Sequence, residues 1–478
     1  MSEDSRSKWW MSWRWPGWLF RLALVLFVVV TPFAIRGWFL WHVPDVAEPF
    51  EVDGFYPADL PPSQNAFTYY KESQRRLWSV RDNWVKTHGW QAIPGDWTFP
   101  RVFVEGLSVL SETENEWLAD QRPTLDEWRR GTELPLAQAF TFAEMSAPPV
   151  LLPVHNDRGR FIALARIEAL RCEADGDLEG AWGWCRACVR FSRHLNSHGG
   201  VVQRLIGSHA HMLATDGVVR WAEHPNVTAT QLREALAEIR AEYAKNTPLS
   251  EAMKVEYLFS RQTFATSKWT EKHAGVFYTR PAWEERVAVL RRPALWLVGE
   301  PDVYLRLRRQ ILLNQLNEID KPLAQRPKLV SSAAFLFDPD PLVPMKTGQL
   351  DPAGIERGLR HSVLRQIVGT FVTTKSLDDG VWQERARQAG LEALLAVQAF
   401  RREKGEFPES LDQLVPEYLE GVQLDPFDPT GGPLHYRRDT ATNAVVWSVG
   451  KDGNDDGGTV DDKTNASADV GFVLKSGN

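Results

Sequence analysis

Residues 161–195 read FIALARIEALRCEADGDLEGAWGWCRACVRFSRHL, and this stretch decides the fold class. Phe161 to Ala174 has the composition of one helix. Gly176-Asp177 breaks it, and Leu178 to Leu195 forms the next, with Leu178, Ala181, Trp182, Cys185, Val189 and Leu195 in one apolar stripe. Apolar residues spaced three and four apart mark one face of a helix. Two helices joined by a tight Gly-Asp turn make an αα-hairpin. Gly199-Gly200 ends the second helix, and Val201 to Ala222 predicts a third.

Working outward, the same period recurs. The turn Glu173–Trp182 resembles those of tetratricopeptide-type helix pairs, although no second copy stands at a period near 34, and a solenoid needs about three repeats. Upstream, Ser63–Val85, Leu107–Ala119 and Thr124–Arg130 read as helices. Downstream, Thr228-x-x-Gln231 is a capping box opening a helix to Tyr243. Thr247-Pro248 starts another to Phe264, with proline at the first helical position. Asp302–Glu318 follows, stopping near Pro322. Residues 325–351 carry four prolines and no period, so they read as a long loop. Ser376-x-x-Asp379 is expected to cap the longest helix, ending at Lys404. The fold class is mainly α.

At the N-terminal end, Trp18–Trp41 reads WLFRLALVLFVVVTPFAIRGWFLW. It covers about 36 Å at 1.5 Å per residue, enough for a hydrocarbon core of about 30 Å. Arg21 and Arg36 lie near its ends, where long basic chains snorkel to the headgroups. Seven of the 21 tryptophans fall in the first 41 residues, and indole prefers the membrane interface. Arg6, Lys8, Arg14 and Arg21 stand before the span or at its start, and Asp45, Glu48, Glu51 and Asp53 after it. The positive-inside rule therefore places the N-terminus in the cytoplasm and the rest outside it, in the periplasm. A cleaved signal peptide is the competing reading, but no A-x-A-like site follows the apolar run.

The net charge of −7 is unevenly spread. Gly405–Asn478 holds 14 acidic and 5 basic residues, which argues against nucleic acid as a partner. Three cysteines cannot build a disulfide framework. Cys185-x-x-Cys188 with His194-x-x-x-His198 invites a zinc reading. However, all four fall on or just past one helix, with His194 more than 100° around from the cysteines, so the cysteines read as core residues. His209 and His211 read as surface or satisfied core histidines. No H-E-x-x-H, G-x-S-x-G, Walker or G-x-G-x-x-G motif is present. Glu251 and Glu256 are not paired by helical spacing.

The C-terminal segment has a different grammar. Arg401–Leu414 holds RREKGEFPESLDQL, in which Ser410-x-x-Gln413 reads as a capping box. Asp425–Tyr436 holds DPFDPTGGPLHY and Ser448–Gly458 SVGKDGNDDGG. Strands are expected at Leu434–Arg438, Ala444–Val449 and Gly471–Lys475, with Asn443 between the first two. This set resembles the soluble core of the major pseudopilin of type II secretion, and the whole chain resembles large membrane-anchored bacterial proteins of planctomycete type. The prepilin-peptidase site of that pseudopilin family is missing, so no processing or pseudopilus assembly is expected. The resemblance implies calcium in the acidic loop. Independently, Asp452, Asn454 and Asp456 occupy positions 1, 3 and 5 of a Ca²⁺ loop with Gly457 at 6. Lys463 stands where the bidentate Glu belongs, leaving Asp461 or Asp462 as substitutes. A solvated acidic loop is the alternative.

The expected organisation is a cytoplasmic segment 1–17, a transmembrane anchor 18–41, a tether 42–62, a helical domain 63–375 and a pseudopilin-core-like α+β domain 376–478. The expected function is a single-span extracytoplasmic scaffold or interaction protein of secretion or envelope organisation, with other envelope proteins as partners. An envelope hydrolase with its site between helices and a helical groove binder of peptides or envelope polymers are the alternatives.

Overall fold

The computed structural model describes residues 17–41, 43, 45–90, 93, 98–144, 153–265, 293–322, 325, 374–460 and 469–475. The expected loop 325–351, except Gln325, lies outside them. The chain is mainly helical, with one apolar N-terminal helix and a small three-stranded sheet. The helices are α1 (Gly17–Trp41), α2 (Ala66–His88), α3 (Thr98–Glu105), α4 (Glu112–Asp120), α5 (Arg122–Thr132), α6 (Pro153–Asn156), α7 (Arg158–Ala174), α8 (Leu178–Asn196), α9 (Val201–Glu223), α10 (Ala229–Tyr243), α11 (Leu249–Ala265), α12 (Asp302–Glu318) and α13 (Thr374–Lys404). The strands are β1 (His435–Arg438), β2 (Asn443–Ser448) and β3 (Val470–Lys475).

The α7–α8 hairpin forms where expected. Gly176 takes φ +77°, a region glycine enters without a Cβ clash. Asp177 N donates to Cys172 O at 2.8 Å and Gly176 N to Glu173 O at 3.1 Å, the paired bonds of a Schellman ending. Asp177 then caps α8 by accepting from Gly180 N at 2.8 Å. The Thr228–Gln231 capping box is present in both directions. Two other expected caps are not formed. Ser376 lies inside α13, which begins at Thr374. Ser410 makes no side-chain cap, and the segment after it is a 3₁₀ turn, Leu411–Leu414. There the Gln413 side chain accepts from Glu409 N at 2.9 Å instead. Asn443 is the first residue of β2, not part of the turn.

One aromatic core joins the first and central helices. Phe191 of α8 packs edge-on against Tyr70 of α2 at 4.9 Å and Trp128 of α5 at 5.2 Å. All three are fully buried. Helices α2 and α5 cross closely at Gly131, where an added Cβ would lie 2.7 Å from Tyr70 Cε1 and 3.0 Å from Tyr69 Cβ. Tyr70 has nowhere to move. Gly131→Ala is therefore expected to cost about 1–3 kcal/mol through overpacking. Gly217→Ala in α9, whose Cβ would meet its neighbours at 3.4–3.9 Å, should be neutral or stabilise by up to about 1 kcal/mol through helix propensity. Urea melts of both variants check the pair; equal midpoints would contradict the crossing geometry.

The long helix α13 is shared by two layers. One side packs on α9 and α10, and another carries the sheet through β2 and β3. The sheet is antiparallel throughout, in order β1-β2-β3, with Tyr436 opposite Val446 and Val446 opposite Phe472. Phe472 lies over Gly390 of α13, where a Cβ would stand 3.1 Å from its ring. The buried cluster runs continuously from Phe67 through Leu394 to Leu474. The expected division between residues 375 and 376 thus falls in the first turn of a helix that serves both cores. Between α8 and α10 lies an ionic seam in which Arg190 and Arg193 both reach Glu242, at 3.0 and 3.1 Å.

The segment expected as a tether is held to the body at several points. Tyr257 of α11 donates to Glu48 at 2.5 Å. Arg309 of α12 pairs with Asp45 at 2.7 Å, and the buried Tyr56 hydroxyl donates to Phe140 O at 2.8 Å. Arg36, expected to snorkel, instead pairs with Asp302 and donates to Trp296 O at 2.6 Å.

Candidate functional site

The acidic loop is pinned, but not by the residues its spacing singles out. Asp452, Asn454 and Asp456 are exposed. Asp452 turns back on the loop, accepting from Asn454 N at 3.1 Å and Asn454 Nδ2 at 3.3 Å. Asp461 and Asp462 lie outside the described residues. The anchoring falls to Asp455 and Asp469. Asp455 accepts from Trp447 Nε1 at 2.9 Å and Gly457 N at 2.9 Å, and lies 3.3 Å from His435 Nδ1. The buried Asp469 accepts from Asp456 N at 3.3 Å and Gly458 N at 2.8 Å. Burial pushes the Asp469 carboxyl above its usual range, against those two amides. Gly458, at φ +77°, lies flat on the Trp447 indole.

Among the described residues no three His, Cys, Asp or Glu side chains gather as a metal cage. Asp452, Asn454 and Asp456 alone do not fit a calcium ion, which takes six to eight oxygens.

The cysteine and histidine cluster resolves as core. Cys185 and Cys188 are 2% and 1% exposed, and burial pushes both thiols up, Cys188 to about 12. A thiol held protonated is neither a nucleophile nor a ligand. His194 is buried on the other side of α8, 2.6 Å from the Tyr70 hydroxyl. His211 is buried with its Nε2 2.8 Å from the Tyr243 hydroxyl, while His209 is exposed.

His198 is different. It has φ +50°, the one positive value among described non-glycine residues; such backbone is sparsely populated and tends to cluster at working sites. Its Nδ1 stands 3.0 Å from Glu251 Oε1, and its ring is 6.4 Å from that of Tyr56. Tyr56 in turn lines a cleft of about 650 Å³, with Asp53, Asp59, Phe142, Arg261 and Gln262 around it. Burial pushes the Tyr56 hydroxyl well above its ordinary value, so it stays protonated as a donor. Residues 52–59, Phe142 and α11 make the cleft, and the His198–Glu251 pair lies behind Tyr56. Sequence spacing brings up His198 only inside a misleading zinc motif, and Glu251 only as half of a non-pair with Glu256. Nothing local links residues 53 positions apart. Glu256 is occupied elsewhere, accepting from Val201 N at 3.3 Å.

No family model, curated protein or solved structure matches this chain.

Proposed function

We propose that the chain is a single-span, membrane-anchored scaffold or interaction protein whose body lies outside the cytoplasm. One observation carries this reading: Trp18–Trp41 is long and apolar enough to cross a bilayer, and no residue in its most apolar window is buried against the body. A core helix of a soluble protein would be covered. The basic residues before the span set the orientation. The pseudopilin-core likeness belongs to the same proposal and is supported by a long helix backing a three-stranded antiparallel sheet. Secretion or envelope organisation is the setting, and other envelope proteins are the partners.

The orientation is tested with a cysteine placed at the exposed Asp175. In intact cells with a permeable outer barrier, a membrane-impermeant maleimide should label it; labelling only after lysis of the inner membrane would reverse the topology. The scaffold role is tested by cross-linking in native membranes. Reproducible envelope-protein adducts support it, and a chain that stays alone speaks against it.

Calcium is a further part of the proposal, with Asp461 or Asp462 completing the set begun by Asp452, Asn454 and Asp456. Its function would be to hold the loop. Calorimetric titration of the full chain with Ca²⁺ is expected to release heat and raise the melting temperature. No heat and an unmoved melt would remove the ion from the account.

A second reading, an envelope hydrolase, is favoured by His198 beside Glu251, with the His198 ring 6.4 Å from the ring of Tyr56, which lines the cleft. A carboxylate next to Nδ1 orients an imidazole as a general base. If that holds, His198→Gln should abolish whatever hydrolysis the purified chain performs, and should leave the melting temperature within a few degrees.

A further inference from the structure

The contacts along the outer half of α1 have a direction. Phe33 meets the Trp296 ring edge-on at 5.3 Å. Arg36 lies over that ring at 5.1 Å and pairs with Asp302. Leu40 O and Val43 O accept from Arg306, each at 3.1 Å, and Asp45 pairs with Arg309. Partner numbers rise together on both strands of this list, so α12 runs outward alongside α1. Residues 293–301, which precede α12, therefore lie on its membrane side.

The fit there is close. Gly299 takes φ +82°, and a Cβ on it would stand 3.4 Å from Phe39 Cβ and 3.5 Å from Leu40 Cδ2. Val303 and Leu307 close the joint against Phe39, Leu40 and Val43. Arg36 marks a depth, because a cation within a span is neutralised by a partner or held at the headgroups. Phe33 is three residues deeper, about 4.5 Å at helical rise, and the Trp296 indole sits with it. Around Trp296 the chain reads Pro293-Ala294-Leu295-Trp296-Leu297-Val298, six residues without charge. Residues 293–297 form a helical turn, with Pro293 and Ala294 exposed and Leu297 half-buried. Exposed apolar residues at that depth, flanked by an indole, match the composition of the membrane interface.

We propose that residues 293–298 dip into the outer leaflet beside α1, with lipid acyl chains as their occupant. This rests on the reading of α1 as a membrane span. The anchor is then a two-part contact. The span holds the chain in the bilayer, and the wedge, fixed to it through Arg36 and Gly299, holds the body at one height and orientation.

The test uses the full chain in lipid nanodiscs, with its three cysteines replaced by alanine and nitroxide labels placed singly at positions 297, 29 and 175. Collision with oxygen reports lipid, and collision with a water-soluble nickel chelate reports solvent. The proposal expects the oxygen-to-nickel ratio at 297 to match that at 29 and to exceed that at 175 several-fold. Overturning results are a ratio at 297 equal to that at 175, or a label shielded from both reagents, with 29 still lipidic; the span reading then stands without the wedge. A solvent-like ratio at 29 would fell both. If Leu297→Cys disturbs folding, Ala294→Cys at the already exposed neighbour gives the same readout.

Discussion

Replacing Glu384 by alanine is expected to cost the folded body about 3–5 kcal/mol, the range for removing one partner of a buried ion pair. Glu384 lies on α13, with its side chain 2% exposed, and its Oε2 is 2.6 Å from Nη1 of Arg204, 5% exposed, on α9. The same oxygen accepts from the Ser208 hydroxyl at 2.7 Å, and Oε1 accepts from Asn196 Nδ2 and Gln388 Nε2, both at 3.3 Å. Burial alone would raise this carboxyl; Arg204, His211 and Ser208 outweigh it and hold the group ionised below its usual range. Alanine would leave the Arg204 guanidinium in the core without its counter-charge. The double substitution Arg204→Met with Glu384→Leu should recover most of the loss, because two apolar chains of similar volume need no desolvation. Urea unfolding of the parent, Arg204→Met, Glu384→Leu and the double variant gives the coupling directly. A cost under about 1 kcal/mol for Glu384→Ala would mean that water reaches the pair. The clasp ties α13 to α8 and α9, so the variant should also loosen the sheet that α13 carries. Hydrogen exchange in β2 and β3 is expected to rise with it.

What the sequence makes legible here is local. Helical period, the Thr228–Gln231 box and the Gly176 turn each act over a few residues, and each forms as expected. The apolar stripe of α8 places Cys185 and Cys188 in the core, correctly, since burial follows the same period. The caps at Ser376 and Ser410 fail because a capping pattern states only that a bond is available. At Ser410 the partner Gln413 finds Glu409 N instead. The deciding interactions are long-range. Arg36 with Asp302, Arg204 with Glu384, and His198 with Glu251 are separated by 266, 180 and 53 positions. A single sequence carries no signal that pairs one arginine with one acid among 62. The contacts that pin the acidic loop are hidden for a related reason. Alternate spacing points to Asp452, Asn454 and Asp456, whereas the fold uses Asp455, because Trp447 happens to present its indole N–H there. The candidate cleft escapes sequence reading altogether, since its walls come from residues 52–59, Phe142 and α11.

The second large effect is acid sensitivity between about pH 6.5 and pH 4, set by two buried histidines. His211 is 1% exposed. Burial, with Arg387 and Arg204 nearby, lowers it to about 4 against the opposing pull of Glu384. His194 is fully buried, and burial followed by Arg193, Arg190 and Lys245 holds it well below its ordinary value. Its tautomer follows from its neighbours. Arg193 Nη2 lies 2.8 Å from His194 Nε2, and a guanidinium can only donate. Nε2 is therefore bare, and the proton sits on Nδ1, facing Tyr70. A second proton on Nε2 would lose that bond and face a fixed cation. The sign follows from the direction of the shifts. Both groups bind protons more weakly in the folded chain than in the unfolded one. Their contribution is thus complete above the unfolded value near 6.5 and is lost as pH falls through the folded values. For His211 the loss approaches about 3 kcal/mol by pH 4, from the difference between the two values at about 1.4 kcal/mol each. Glu384 is also held low, but its contribution is lost only below the ordinary carboxylate range, so the two windows separate. Urea midpoints measured from pH 7.5 to 4.5 should hold nearly level above about pH 6.5 and fall below it for the parent. For His211→Gln, whose amide cannot charge, the decline below about pH 6.5 should be shallower by the His211 share. A decline for His211→Gln as steep as that of the parent would mean that His211 already carries its proton in the folded chain, and that the polar core around Arg204 and Glu384 is wetter than its burial implies.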